Sequence, residues 1–499
     1  MRPEHHPSER LFGSVNVLAE AELKKIVDGA ILILETVGIR FDDPEAVEVL
    51  GNAGARVVGG VVRFPQSLIE TCLQSLPDEV VLGARNPHAS LRMGGRRFIT
   101  TNGFGTMKVL DLGENKPRPS TVRDLVQLTR LADRLDEVGY CQHQTTPQDV
   151  PPEQLDVIQA LAVIANTSKH THLSTYSAQH LDAVMELGRI ASDGLDASSI
   201  SLGCCSISPL RYPQEATQTL KRAAEDEIPF LVVCGAVAGV MSPITLAGTL
   251  VTQTAEHLAA VVLSQTIRAG TPLLLGSFSS PMDPRNGMQR LAAAELSLLN
   301  GATAQICRYF GISLGYGTGG ISDSSTPNVQ AGIEKAFTTL SCALSGVEVI
   351  HDAVSGILDS GTLTSYEQMV IDAELCRCVR RFVRGIDIND EALALDQIAE
   401  IGPGGNYLAT MHTARNFRTE ILFSDLWESG VDPGEASIFE RAHERVQGLL
   451  AQPVEGPRLS SHQIEAMIAV CKQKSINEDV LRSIATEEGS PLDDDPQSA

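Results

Sequence analysis

From about Arg96 to Arg384, short apolar or β-branched runs alternate with segments in which apolar residues recur every three to four positions. The runs Arg97–Thr101, Val138–His143, Thr171–Tyr176, Ile200–Cys205, Phe230–Cys234, Pro272–Gly276, Ile312–Tyr316 and Val347–His351 read as strands. Each is short for a helix and suited to a pleated buried surface. A stretch of helical period follows each one, so the repeating unit is strand then helix. Eight such units in about 290 residues predict an α/β fold, a TIM (β/α)8 barrel. An open doubly wound sheet is the competing arrangement, but no dinucleotide glycine fingerprint follows the first strand.

Helix starts agree with this division. Ser120-Thr121 caps a helix over Val122–Leu135, Pro152 opens the next, and Ser242-Pro243 opens a long one reaching Ile267. Residues 1–95 read as an N-terminal α/β extension packed on the barrel, with helices over Glu20–Val37 and Pro44–Ala53, a hairpin about Gly59-Gly60 and a helix from Pro65. Residues 96–385 are the barrel, and 386–486 a C-terminal helical region with a polar turn at Asn389-Asp390 and a break at Gly402-Pro403-Gly404-Gly405. The acidic tail 487–499 is expected to be disordered.

At 499 residues the chain can bury a large core without disulfides. Its ten cysteines sit mostly in apolar segments without zinc-type spacing, which favours free thiols in a reducing compartment. The N-terminus has no apolar run fit for a signal peptide, and no later stretch reaches membrane-spanning length without polar residues, so a cytoplasmic protein is expected. The net charge of −23 disfavours binding to nucleic-acid backbones. It suits a cationic substrate or a basic partner, or is simply an acidic surface.

In a barrel, chemistry collects where strands end and loops begin. That rule selects Asn102, Phe104, His143, Tyr176, Ser206, Gly235, Phe278, the segment from Tyr316 to Asp323, and His351-Asp352. Only 4% of the chain is aromatic, yet Phe104, Tyr176, Phe278 and Tyr316 all fall at such positions. Aromatic faces there could surround a quaternary ammonium, or each could pack beneath a loop. Glu295, early in the helix after the sixth strand, could attract a cation or only complement the helix dipole. His170 and His172 would point the same way from the start of a strand, where a hydrogen-bonded structural role is favoured over metal ligation. His143 and His351 are better placed for metal but lack further ligands of matching spacing, so no metal is assigned.

Ordered blocks along nearly the whole chain resemble the trimethylamine methyltransferase family: ILETVGIRFDDPEA near the start, ANTSKH from Ala165, SPITLAGTLVTQTAE from Ser242, SDSSTPNVQAGIEK from Ser322 and SYEQMVIDAE from Ser365. The resemblance implies a TIM barrel that passes a methyl group from an amine to the cobalt of a separate corrinoid protein. No tightly bound cofactor is then expected, since the corrinoid (cobalamin) is carried by that partner. Archaeal trimethylamine enzymes of the family carry pyrrolysine in the loop where this chain has Ile321, so the resemblance points to the pyrrolysine-lacking branch and a glycine betaine-like quaternary amine. Ile321 is then apolar lining, and Phe104, Tyr176, Phe278, Glu295, Tyr316, Asp323 and His351 are the expected substrate-binding residues. His351 departs from the position that the resemblance gives the histidine of pyrrolysine-free relatives. A homo-oligomer is expected. The alternatives are a barrel that binds betaine-like cations without turnover, and a metal-dependent lyase or hydrolase.

Overall fold

The computed structural model describes residues 9–485 except 96, 115, 425, 428–435 and 453–455. The predicted tail from Glu487 lies outside the described residues.

Eight parallel strands form the centre: β1 (Ile99–Thr100), β2 (Tyr140–Cys141), β3 (His170–Ser174), β4 (Ile200–Cys205), β5 (Phe230–Cys234), β6 (Leu273–Ser277), β7 (Leu314–Thr318) and β8 (Val349–His351). Each pairs with its neighbour in sequence from β2 to β8, and β8 pairs with β1. A parallel bridge between Thr100 and Val138 joins β1 to the chain just before β2 and completes the ring. All eight predicted strands are present, several shortened because the ladder engages only the middle of the apolar run. Helices α1 (Val122–Arg134), α2 (Leu155–Asn166), α3 (Ala178–Ala191), α4 (Gln214–Glu225), α5 (Leu246–Ile267), α6 (Ala294–Phe310), α7 (Val329–Ser345) and α8 (Tyr366–Arg384) follow the strands in turn. The barrel is therefore a TIM (β/α)8 fold.

Side-chain alternation explains why these strands are apolar throughout. On β5, Phe230 and Val232 join the core beneath the helices, whereas Leu231 and Val233 point into the barrel beside Leu274, Tyr316, Val349 and Tyr140. The interior cluster also takes in Val80, Leu82 and Met93 from an antiparallel hairpin, Val80–Leu82 with Leu91–Met93, ahead of β1. That hairpin fills the end of the barrel where the strands begin.

The extension has the predicted elements: helices Glu20–Thr36, Pro44–Asn52 and Gln66–Gln74, and a hairpin of Arg56–Val58 with Val61–Arg63. Gly59 and Gly60 have φ of 60° and 80°, the left-handed values that a tight two-residue hairpin turn needs. The long fifth helix starts at Leu246, capped by Thr245, three residues beyond the predicted start at Pro243. By length and composition it is apolar enough to cross a membrane, contrary to the sequence reading, but 78% of that window is buried inside the fold. It packs as a core helix against α4, α6 and the N-terminal helices. Beyond the barrel, helix Ile438–Leu450 lies on α8 and α1, Ser461–Lys472 on α3, and Glu478–Ala485 on α2.

Candidate active site

The open end of the barrel is built by the loops after the strands. Those after β1 and β8 combine into a small sheet, Lys108–Leu110 and Pro117–Pro119 with Ile357–Leu358 and Leu363–Thr364, and those after β5 and β6 pair through Val237–Ala238 and Ser280–Pro281. Beneath them runs a row of rings. Tyr176 lies 6.4 Å from His143, His143 4.2 Å from Phe104, Phe104 6.5 Å from His351, His351 3.6 Å from Tyr316, and Tyr316 6.3 Å from Phe278, all between ring centroids. Phe104, Tyr176, Phe278, Tyr316 and His351, scattered over 248 positions of sequence, thus meet at one end of the barrel. Tyr176 forms the exposed rim and Tyr316 the buried floor. Tyr316 has room because β6 carries Gly276 beside it; a Cβ there would lie 2.6 Å from that of Tyr316.

His351 ends β8 and Asp352 follows it at the centre of this row, 0% and 1% exposed. The Gln142 amide group donates to Asn102 O at 2.7 Å, which turns its oxygen toward His351, so His351 Nε2–H donates to Gln142 Oε1 at 2.7 Å. Nδ1 is left facing Asp352 Oδ2 at 3.0 Å. The Tyr316 hydroxyl also points to Oδ2, at 3.5 Å. The other carboxylate oxygen, Oδ1, is buried without a hydrogen-bond partner. Asp352 holds a left-handed backbone, φ 66°, a conformation that costs energy and clusters at functional sites.

The surroundings are buried, with His143, His172 and Tyr316 all shielded from solvent. Burial, and then the nearby charge of His351, push the His143 imidazole down to about 3, and burial with the neighbouring histidines holds His172 well below its ordinary value. Burial, and then the Asp352 carboxylate, hold the Tyr316 and Tyr140 phenols protonated. An unpaired carboxylate oxygen in such a place is costly unless a cation meets it.

The loop from Gly319 to Asp323 is braced from behind. Gly320 has φ 83° and presses on the turn after β8; a Cβ there would lie 2.7 Å from Asp352 O. Lys335 on α7 donates to Gly320 O and pairs with Asp372 on α8 at 2.8 Å, both side chains 1% exposed. Asp372 in turn accepts from Gly356 N at 2.8 Å, and Glu334 accepts from Ser322 Oγ at 2.6 Å and Asp323 N at 2.9 Å. Ile321 is 2% exposed and packs with Leu291, Leu296 and Ile357, with Phe278 between it and Tyr316.

Two expected substrate ligands have other work. Asp323 is taken up by Arg290 Nε at 2.6 Å, Leu291 N at 3.1 Å and Ser360 Oγ at 2.9 Å, so it ties three loops together and presents no free oxygen to a substrate. Glu295 is exposed on the first turn of α6 and lines an open cleft of about 500 Å³ with Asp283, Arg285 and Arg290, apart from the ring row. His170 and His172 both contact Ser201 Oγ, at 2.9 Å each, near the filled end of the barrel. Gln142 and Gln144 were missed by the sequence reading. Their signal is two polar residues two apart just beyond β2, which puts both on the barrel's inner side. Gln144 accepts from Gly103 N at 2.6 Å and donates to Ser355 O at 2.7 Å, joining the loops after β1 and β8.

A family profile for trimethylamine methyltransferase (MTTB) matches residues 3–477. The chain is 31% identical over 442 residues to trimethylamine methyltransferase MttB of Desulfitobacterium hafniense (strain DSM 10664 / DCB-2), covering 87% of this chain and 88% of that protein. It is likewise 31% identical over 474 residues to glycine betaine methyltransferase of D. hafniense (strain Y51), covering 92% and 98%. Among solved structures, the hydroxylamine complex of MtmB aligns with a TM-score of 0.53 at 13% identity, covering 94% of this chain and 89% of that one. At that identity the likeness speaks for the barrel alone.

Proposed function

The chain belongs to the trimethylamine methyltransferase family, and from that premise we propose that it takes a methyl group from a quaternary amine and passes it to the Co(I) of a separate corrinoid protein. One observation carries the choice of a quaternary amine: the partnerless Oδ1 of Asp352, buried at the centre of a row of aromatic rings. A primary or secondary ammonium calls for several hydrogen-bond acceptors; a tertiary one would offer its single N–H to Oδ1, and it is set aside because its neutral form has no charge to activate the C–N bond and Ile321 has no atom that could form an adduct with it. A quaternary ammonium has no N–H and is held by ring faces and one negative charge, which is what this end of the barrel offers. The 31% identity to a protein named glycine betaine methyltransferase supports the same class.

The chemistry asks little of acid or base groups. The Co(I) electron pair forms the bond to the methyl carbon, the C–N bond breaks, and its pair stays on nitrogen as a neutral tertiary amine. The substrate's own charge makes that amine a leaving group, so Ile321, with no atom able to form an adduct, is compatible with turnover. The protein's share is alignment and exclusion of water. In this reading the Phe104, Tyr316 and His351 rings and Asp352 hold the ammonium, Gln142 and Asn102 fix the His351 ring, and Phe278 with Ile321 closes the apolar wall.

The test is incubation with reduced corrinoid protein and a panel of quaternary amines, followed by methyl-cobalt absorbance. Formation with at least one betaine and none with trimethylamine is expected. No methylation with any quaternary amine refutes the reading, and tight binding without turnover leaves only a cation-binding barrel.

A further inference from the structure

The hydrogen bonds around His351 fix where its proton sits and leave an imbalance beside it. Asn102 and Gln142 exchange three bonds: Asn102 Nδ2 donates to Gln142 O at 2.9 Å, Gln142 N to Asn102 Oδ1 at 3.0 Å, and Gln142 Nε2 to Asn102 O at 2.7 Å. Gln142 Oε1 can then only accept, so the proton of a neutral His351 is on Nε2. Nδ1 of that neutral ring carries a lone pair, and it lies 3.0 Å from Asp352 Oδ2. A lone pair and a carboxylate oxygen repel at that distance, and both side chains are buried where water cannot screen them. A second proton, on Nδ1, turns the repulsion into an ion pair.

The rings favour that proton too. Tyr316 stacks on His351 at 3.6 Å with 28° between the planes, and Phe104 is 6.5 Å away, so aromatic faces border an imidazolium as they would an ammonium. Yet the proton is loosely held. Neither Nδ1 nor Asp352 Oδ1 has an aligned hydrogen-bond partner, so charge alone keeps it there.

The other titratable groups around the pair hold their state. Beside β2, burial and then the charge of His351 push His143 down to about 3, and burial keeps the Tyr140 phenol protonated. Beside β3, burial holds His172 well below its ordinary value and keeps Tyr176 protonated. At the end of β4 burial pushes Cys205 up to about 11, and on β7 it keeps Tyr316 protonated. On α8, Asp372 is paired with Lys335, and the Cys376 thiol, raised by burial, donates to Ala353 O. A proton that the row loses between pH 5 and 8 therefore comes from His351 and Asp352.

We propose that the ligand-free protein carries this second proton, which makes His351 a cation of the protein's own at the centre of the row, and that a quaternary ammonium entering the row drives it out. The Nδ1–H bond breaks, its electron pair stays on Nδ1, the proton passes to solvent, and the substrate's charge takes over the pairing with Asp352. Without that release two cations would share one buried carboxylate. The proposal rests on the reading of this end as a quaternary-amine site and adds that protons compete for it: binding weakens as pH falls, although a quaternary nitrogen has no proton to gain.

The test is calorimetric titration of the full chain with tetramethylammonium, a quaternary nitrogen and nothing else, at pH 6 in two buffers of different ionisation enthalpy. The difference in heat counts the protons transferred. Close to one proton should be released for each cation bound, and the association constant should be close to tenfold higher at pH 6 than at pH 5. His351→Asn keeps the carboxylate and removes the ring nitrogen, so it should bind without release. Wild-type binding with no proton released overturns the proposal and leaves the quaternary-amine reading standing. No binding of tetramethylammonium overturns both. A full proton released by His351→Asn overturns the assignment to this pair.

Discussion

Replacing Asp352 by Asn tests the charge at the heart of the site while disturbing little else. Asn has the same shape, and it is among the few residues that tolerate the left-handed backbone, φ 66°, that this position requires. The Tyr316 hydroxyl can still donate to the remaining amide oxygen. What disappears is one negative charge at a position where Asp352 is 1% exposed. A quaternary nitrogen, shielded by its methyl groups, can approach the carboxylate to about 5 Å, where an effective dielectric of about 20 makes the attraction about 3 kcal/mol. That is a loss of roughly 150-fold in affinity. Calorimetric titration of the wild type and Asp352→Asn should show it for the betaine that turns over. The neutral isostere, with a tert-butyl group for trimethylammonium, should bind both proteins equally. Betaine affinity within twofold of wild type would refute the argument, and so would an equal loss for the isostere, because that would mean damage to shape and not removal of charge.

Other outcomes follow from the same geometry. Phe104→Leu removes a ring face between His143 and His351 and should weaken betaine binding about tenfold, the scale of one partly desolvated cation–π contact, as read by the same titration. Glu295→Gln, on the exposed cleft, should leave both betaine affinity and turnover within twofold of wild type. Lys335→Met strands the buried Asp372 carboxylate and should cost about 3–5 kcal/mol in denaturant unfolding, with Lys335→Met/Asp372→Leu recovering part of it. Acid should expose the buried histidines. Burial pushes His257 down to about 4, so between pH 6.5 and 4 the unfolded chain takes up its proton and the folded one does not. Stability attributable to it is therefore intact above pH 6.5 and falls by about 1.4 kcal/mol per pH unit below. Between pH 7 and 5 the His257→Gln protein should lose about 2 kcal/mol less than wild type in isothermal denaturation.

How far the chain announces this structure varies with the range of the interaction. Strands buried on both faces are written as unbroken apolar runs, so β5 and β6 can be found from FLVVC and LLLGS alone. The mouth residues follow from a rule of position, which is why Phe104, Tyr176, Phe278, Tyr316 and His351 could be gathered without coordinates. Asp323 and Glu295 obey the same rule, and it misleads there. The Arg290 that neutralises Asp323 stands 33 positions away on another loop, and no local pattern ties them. Nor does a pattern say that the first turn of α6 points away from the rings. The polar pair Gln142 and Gln144 resembles ordinary loop sequence until β2 is seen to end at Cys141. In the helix Met411–Glu420 beyond α8, apolar residues at helical spacing resemble any core-facing helix; only packing shows that none of them is buried.

The hairpin of Val80–Leu82 and Leu91–Met93 stoppers one end of the barrel with Val80, Leu82 and Met93. A vessel corked below has one doorway, and under the proposed reaction amine and cobalt would share it. The amine would then enter first, because a docked corrinoid protein would stand across its path, and the spent amine would wait for that protein to depart. Turnover so arranged would be queued by which end of the cylinder is shut.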